Sequence, residues 1–409
     1  MTGAAMTTSM RSDPDELPVV PVPRERGCPL RPPPVFAQWR ASDGLAQALW
    51  RGRPTWVISR YEDIKAALTD PRLSAETLPE NMRARAADDS VPVVFARIDD
   101  PEHNRLRRMM TRHFTYRRTE AMRPQIQAIV DGFLDDMVAG GPPADLVSSF
   151  ALPVPSLVIS VLLGVPYEDH DFFQHHSTKG LDARSTPEEK AAAIGAMFDY
   201  MWKLAARKER EPGDDLMSRL MTDYVANGEL SRETAVMNGA ILLQAGHETT
   251  AGMISLGTVA LLQHPGQLRR LRESEDPALI ANAVEELMRY LSIVHSQVDR
   301  VALEDLVING QLIRAGEPVL MNLPAGNWDA AFADHPDVLD IDRNPRGHLG
   351  FGFGAHQCIG QNLARVELQI ALATLVRRLP GLRLAVPDDE LGFADEQEIY
   401  TIHELPVTW

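Results

Sequence analysis

The stretch from Ser231 to His264 constrains this chain more than any other. Ser231 offers a hydroxyl N-cap, Pro265 stops the run, and the residues between them read as one helix about 50 Å long. Helical periodicity dominates from about Pro101 to Leu262, as in Ile126, Ile129, Val130, Phe133, Leu134 and Met137. The fold class is therefore mainly α with small β regions. Thr55 to Ser59 reads as a strand leading into a helix over Tyr61 to Leu68. Later β-rich pieces fall at Val298 to Ala302, Val307 to Ile313 and Val319 to Asn322, with Asn309, Gly310 and Gly316 as turn residues. The last helix, Ile359 to Arg378, is closed by Pro380 and Gly381.

Among 409 residues, 44% are hydrophobic and 24% charged, the balance of a globular chain that can bury a large core. A formal net charge of -16 argues against nucleic acid as a partner. Only Cys28 and Cys358 are present, so no disulfide framework organises the chain, and their usage fits the reducing cytoplasm. No signal-peptide core or membrane-length apolar run occurs. Without a repeat or a Gly/Ser linker, residues 21–409 read as one domain behind an N-terminal segment, 1–20, that is disordered or wraps the surface. The proline-rich stretch Pro18 to Pro34 is expected to follow the surface without regular structure.

Two places break local rules. The middle of the long helix, Ala245-Gly246-His247-Glu248-Thr249-Thr250, sets a glycine, an acid and two β-branched hydroxyls among apolar turns, where all are costly. Such breaks mark functional positions; the plainer reading is a polar kink satisfied by back-bonding from Thr249. A metalloprotease motif is absent because Ala251 stands where a second histidine would be needed.

The second place is Phe351-Gly352-Phe353-Gly354-Ala355-His356-Gln357-Cys358-Ile359-Gly360. Gln357 occupies the third-glycine position of a dinucleotide fingerprint, and no βαβ unit surrounds it. A glycine loop instead delivers one cysteine to the start of a helix, where negative charge is stabilised and the thiolate favoured. The bland alternative is a buried structural thiol, but the glycines allow a flat ligand close to the backbone. Zinc lacks further ligands at suitable spacing.

On Phe351, Gly354, His356, Cys358 and Gly360, the segment resembles the haem-ligand loop of cytochromes P450. The likeness runs from Pro21 to Trp409, and the Ala-Gly-His-Glu-Thr-Thr string and the closing His403 to Trp409 resemble the soluble actinobacterial branch. The resemblance implies the P450 fold, a triangular helix-rich prism around a buried haem b, with the Cys358 thiolate as axial ligand. It also implies Glu248 and Thr249 as the proton relay, with Ala245, Gly246, Phe351, Gly352 and Gly360 against the haem. His103, Arg107, Arg300 and His356 match its propionate-binding positions. Glu286 and Arg289 match a structural Glu-x-x-Arg pair, with Asp342-Arg343 near its third partner; taken alone, such pairs usually lie on solvated surfaces. Trp328 departs from the family at a place where a basic residue is common, and residues 1 to 17 have no counterpart.

The activity so implied is a monooxygenase that hydroxylates or epoxidises a mostly hydrophobic small molecule, such as a macrolide, polyketide, terpenoid, steroid or xenobiotic. It would use O2 and electrons from a ferredoxin and its reductase. The competing readings are a peroxide-driven haem peroxygenase and a non-catalytic haem sensor. Substrate contacts are expected from the Val91 to Val94 loop, chiefly Val93 and Val94, from Gln244, Ala245, Ile293 and Val294, and from Tyr400 to Ile402, chiefly Thr401 and Ile402. A lid is expected over Asp169 to Met197, hinged at Gly180 and the turn Asp182 to Glu189. An acidic ferredoxin is expected near Arg105, Arg108 and Arg112, on a chain that is otherwise monomeric and free of membrane.

Overall fold

The computed structural model describes residues 16–76, 93–169, 171–172, 175–176, 179 and 185–409. Of the hinge read at Gly180 and the turn Asp182 to Glu189, Gly180 and 181–184 lie outside the described residues, as do the start of the loop at Val91 and the first fifteen positions; Pro187 to Glu189 are the first turn of the helix Pro187–Arg210, fixed by a capping box between Thr186 and Glu189, and not a turn. The chain divides into two compact units. One comprises Met1–Met82, Glu285–Cys358 and Asp395–Tyr400; the other comprises Arg83–Val284, Ile359–Ala394 and Thr401–Trp409.

The first unit is built on a mixed sheet in the order β1 (Val19–Val20), β2 (Ala46–Trp50), β3 (Arg53–Ile58), β9 (Pro318–Met321), β6 (Asp299–Ala302), β4 (Leu73–Ser74). β2 and β3 form a hairpin whose turn residues, Arg51 and Gly52, have φ of 49° and 72°. A two-residue hairpin turn of this hand requires positive φ at both places, which arginine seldom supplies, so β2 was hidden in the sequence. Asn309 and Gly310 do the same between β7 (Leu306–Ile308) and β8 (Gln311–Ile313), with the residue types that advertise it. Apolar side chains of β3 and β9, among them Trp56, Ile58, Val319 and Met321, pack with Tyr61, Ile64 and Leu68 of the helix Tyr61–Thr69.

The proline-rich N-terminal stretch departs from expectation. Val19 and Val20 form β1, parallel to Leu49 and Trp50, and Val20, Arg24 and Leu30 are buried. The physical reason lies in β2, whose outer edge carries backbone groups that need partners; the Leu49 N–H donates to the Pro18 carbonyl at 2.8 Å.

The second unit is helical. Its axis is Arg232–Gln263, capped by the Ser231 side chain, which accepts from the Thr234 N–H. From Ala251 to Leu261 every residue of this helix is buried, which explains why it lacks a polar stripe. Pro153–Leu163, Pro187–Arg210 and Gln361–Arg378 pack around it, and Arg123–Gly140 covers Gln361–Arg378 in turn. A small sheet, β10 (Arg383–Leu384), β11 (Pro406–Thr408) and β5 (Ala144–Asp145), ties the chain end to this unit. No helix among the described residues is long and apolar enough to cross a membrane.

Candidate active site

In the first unit the cysteine loop is shaped from both ends. His348 caps the short turn Leu349–Phe351: its Nδ1 accepts from the Gly350 N–H at 3.0 Å, which leaves the ring proton on Nε2, 3.0 Å from a Glu285 carboxylate oxygen. Gly352 and Gly354 have φ of 69° and 74°, a conformation that side chains rarely adopt. A Cβ on Gly354 would lie 2.7 Å from the Leu68 carbonyl oxygen, so the loop presses backbone to backbone on the helix Tyr61–Thr69. A Cβ on Gly352 would meet nothing within 4 Å, so that side of the loop is open. The Cys358 N–H donates to the Phe351 carbonyl at 2.9 Å and closes the loop, while the cysteine itself is exposed. Phe351 is buried and His356 half-buried. Arg300, in β6, is buried and donates to the Asp299 carbonyl at 2.7 Å.

The Glu286 and Arg289 pair is fully buried rather than solvated. Arg289 grips both carboxylate oxygens at 2.7 and 2.8 Å, and Arg343 adds a contact at 3.2 Å. The remaining Arg289 protons reach the carbonyls of Asn327, Pro336 and Val338. Trp328, the departure noted above, donates its indole N–H to the Tyr290 carbonyl at 2.8 Å and packs tilted on the Tyr290 ring. Ile293 is buried and Val294 half-buried.

In the second unit the irregular segment of the long helix stays helical. A Cβ on Gly246 would stand 3.0 Å from Ile159, so this glycine lets Pro153–Leu163 approach closely. His247 is buried, bonds the backbone of Leu152, and is pushed down to about 4 by desolvation. Glu248 and Thr249 are half-buried, and the Thr249 hydroxyl donates to the Ala245 carbonyl at 2.8 Å. Gln244 and Ala245 are exposed although Leu242, Leu243 and His247 are buried, so one face of a core helix is open at this turn.

His103 and Arg107 lie on the helix Glu102–Thr111. His103 is completely buried, which removes the solvated-face reading for it; its Nδ1 is 3.3 Å from Asp100. Arg107 is half-buried, whereas Arg105, Arg108 and Arg112 are exposed. Arg105 is already engaged, donating to the Glu229 carbonyl at 2.8 Å. Val93 and Ile402 are buried, and Val94 and Thr401 half-buried.

Comparison with known proteins decides what these halves serve. The cytochrome P450 family model matches residues 193–380. Cytochrome P450-SU2 of Streptomyces griseolus is 48% identical over 409 residues, 99% of this chain and 100% of that protein. The chain belongs to the cytochrome P450 family. Vitamin D3 dihydroxylase, also of Streptomyces griseolus, is 45% identical and covers 95% of this P450 and 96% of its own length. The crystal structure of GfsF, a P450 of Streptomyces halstedii, matches with TM-score 0.89 at 45% identity, covering 96% of this chain and 100% of that one. The fold is thus the P450 fold, and this P450 is a monooxygenase.

Membership implies haem held by a cysteine thiolate, and the residues present fit that group. Among the described residues no cluster of three or more His, Cys, Asp or Glu could hold a bare metal ion. Iron carried in a macrocycle brings its own nitrogen ligands and asks the protein for a single axial donor. A cysteine exposed on a glycine loop with one open side can supply that.

Two positions of this P450 escaped sequence reasoning. Asn238, buried in the long helix, donates to the Val93 carbonyl at 2.8 Å and accepts from the Phe95 N–H at 2.9 Å, fixing the loop from which Val93 and Val94 come. Asn327 is buried too; its Oδ1 accepts from the Leu349 N–H at 2.6 Å and its amide donates to Ser292. A buried asparagine in an apolar run was the available signal for Asn238.

Proposed function

We propose that this P450 inserts one oxygen atom of O2 into a mostly hydrophobic small molecule, such as a macrolide, polyketide, terpenoid, steroid or xenobiotic, with electrons from a ferredoxin. The observation that carries the reading is the Cys358 loop: an exposed cysteine, its backbone N–H anchored on the Phe351 carbonyl, near Gly352, where a Cβ would meet nothing.

Cys358 supplies the thiolate, and haem so ligated supplies the activation of dioxygen and the cleavage of its O–O bond. Phe351, Gly352 and Gly360, with Ala245 and Gly246, would line the haem. His103, Arg107, Arg300 and His356 neutralise the propionates, because buried carboxylates without partners are costly. Glu248 takes protons from solvent and passes them toward Thr249. The Thr249 hydroxyl, which gives its own proton to Ala245, presents its lone pairs to a proton donor and can turn to hand a proton on. Val93, Val94, Gln244, Ile293, Val294, Thr401 and Ile402 contact the lipophile, and burial of its apolar surface drives binding. Glu286, Arg289 and Arg343 hold the fold that accepts haem. The exposed Arg108 and Arg112, with Arg105 as a weaker contributor given its bond to Glu229, meet the acidic donor. The enzyme works as a monomer in the cytoplasm.

The test is optical. Reduced protein under carbon monoxide should show the long-wavelength band of thiolate-ligated haem, and Cys358→His should move that band to the imidazole-ligated position. A band unchanged by the substitution, or colourless protein after expression with ample haem precursor, removes the reading.

A further inference from the structure

Arg24 stands in the stretch expected to be irregular surface, yet it is buried and pushed down to about 10 by desolvation. A guanidinium in such a place is costly unless its protons find acceptors. Here Nη1 donates to the Leu30 carbonyl and Nη2 to the Leu291 carbonyl, each at 2.9 Å. Nε and Nη2 both approach Nε2 of His295, at 3.2 and 2.8 Å. Because arginine only donates, that nitrogen must be the acceptor and the imidazole proton must sit on Nδ1. The guanidinium lies 4.0 Å above the Tyr400 ring, which stacks on His295 at 5.1 Å and 7°. The Tyr400 hydroxyl in turn donates to the Pro29 carbonyl at 2.8 Å.

Arg24 thus joins three stretches far apart in sequence. Two of them also pair through their backbones: the Tyr400 N–H donates to the Ile293 carbonyl, the His295 N–H donates to the Glu398 carbonyl, and Val294 bridges Ile399. We propose that Arg24 is a positioning residue for substrate recognition, clamping His295 and Tyr400 so that the backbone between them presents Ile293 and Val294 at a fixed height and angle. The proposal rests on the assignment of Ile293 and Val294 to substrate contact made above. A rigid planar fork suits the task, because it fixes orientation as well as distance; lysine would keep the charge and lose both the fork and the stack.

Two probes separate the clamp from general stability. Imidazole ligates ferric haem without filling the cavity, whereas econazole must also fit its walls. Both are titrated against ferric holoenzyme and followed by the Soret shift. Arg24→Lys and His295→Leu are expected to weaken econazole about fivefold or more and leave imidazole affinity and the carbon monoxide band in place. His295→Gln, whose amide oxygen can accept from the guanidinium, should return econazole to within about twofold of the parent. Should one variant fail to fold, the one that keeps the carbon monoxide band decides. Equal losses for both probes, no loss at all, or collapse of the band in Arg24→Lys and His295→Leu alike overturns the proposal. Absence of that band from the parent protein would instead strike down the haem-thiolate reading, and the clamp's role with it.

Discussion

Thr249 donates its hydroxyl proton to the carbonyl of Ala245, one turn back along the long helix, at 2.8 Å. The bond satisfies a polar group in a core helix and at the same time fixes where the hydroxyl lone pairs point. Thr249→Ala should therefore leave the fold and the carbon monoxide band intact while diverting reducing equivalents to peroxide. Thr249→Ser, which can make the same bond, should retain more of the coupling. Product formed per NADPH consumed, set against peroxide released, measures both; equal coupling in the parent and the alanine variant would sink the relay.

Glu286 offers its carboxylate to the buried Arg289, to the partly exposed Arg343 and to the Asp340 N–H. Removing its charge leaves Arg289 buried without a counter-ion. Such losses cost about 3–5 kcal/mol. Glu286→Ala should accordingly yield little haem-loaded protein, and Arg289→Lys should fall short of rescue because one ammonium cannot reach both oxygens and three carbonyls. Haem content per folded chain is the readout.

Acid should destabilise this P450 through its buried imidazoles. Burial pushes both His247 and His113 down to about 4, the latter helped by Arg118 and Arg219. A folded-state value below the unfolded one means that the native form binds fewer protons between roughly pH 6.5 and 4. Their contribution is therefore complete above about 6.5 and is lost as pH falls toward 4. For His247 alone the loss is on the order of 3 kcal/mol. His247→Gln should flatten the pH dependence of urea midpoints in that window; an unchanged slope would contradict the assignment.

Gly354 and Gly352 offer a matched pair. Both have positive φ, but only at Gly354 would a Cβ strike backbone, the Leu68 carbonyl oxygen at 2.7 Å. Alanine at either place costs about 1–3 kcal/mol for a backbone conformation that side chains rarely adopt. Gly354→Ala adds a displacement of the cysteine loop, so it should broaden or shift the carbon monoxide band, whereas Gly352→Ala should lower Tm with the band in place.

Asn238→Leu should leave the Val93 carbonyl and the Phe95 N–H unpaired in the core, at about 1–3 kcal/mol for each group. Faster amide exchange confined to residues 93–95 would distinguish this local loosening from global unfolding.

Local rules made much of this P450 legible. Ser231 and Pro265 mark the ends of the longest helix, Asn309-Gly310 announces its hairpin, and a glycine loop before a helix flags Cys358, because each signal lies within a few residues of what it causes. The sequence did not disclose β1 and β2, since the Arg51-Gly52 turn lacks the usual residue types and a two-residue strand exists only when an edge is there to receive it. Nor could it show that Glu286 and Arg289 are buried while Arg108 is exposed, because spacing within a helix says which side chains can meet and nothing about what covers them. Arg24 is the sharpest case. Its six-residue neighbourhood reads as a charged, proline-rich surface, and only the folded chain brings Leu291, His295 and Tyr400 to it. Contacts between residues hundreds of positions apart carry no local signature; they are fixed by how the apolar faces pack, which tertiary structure alone decides.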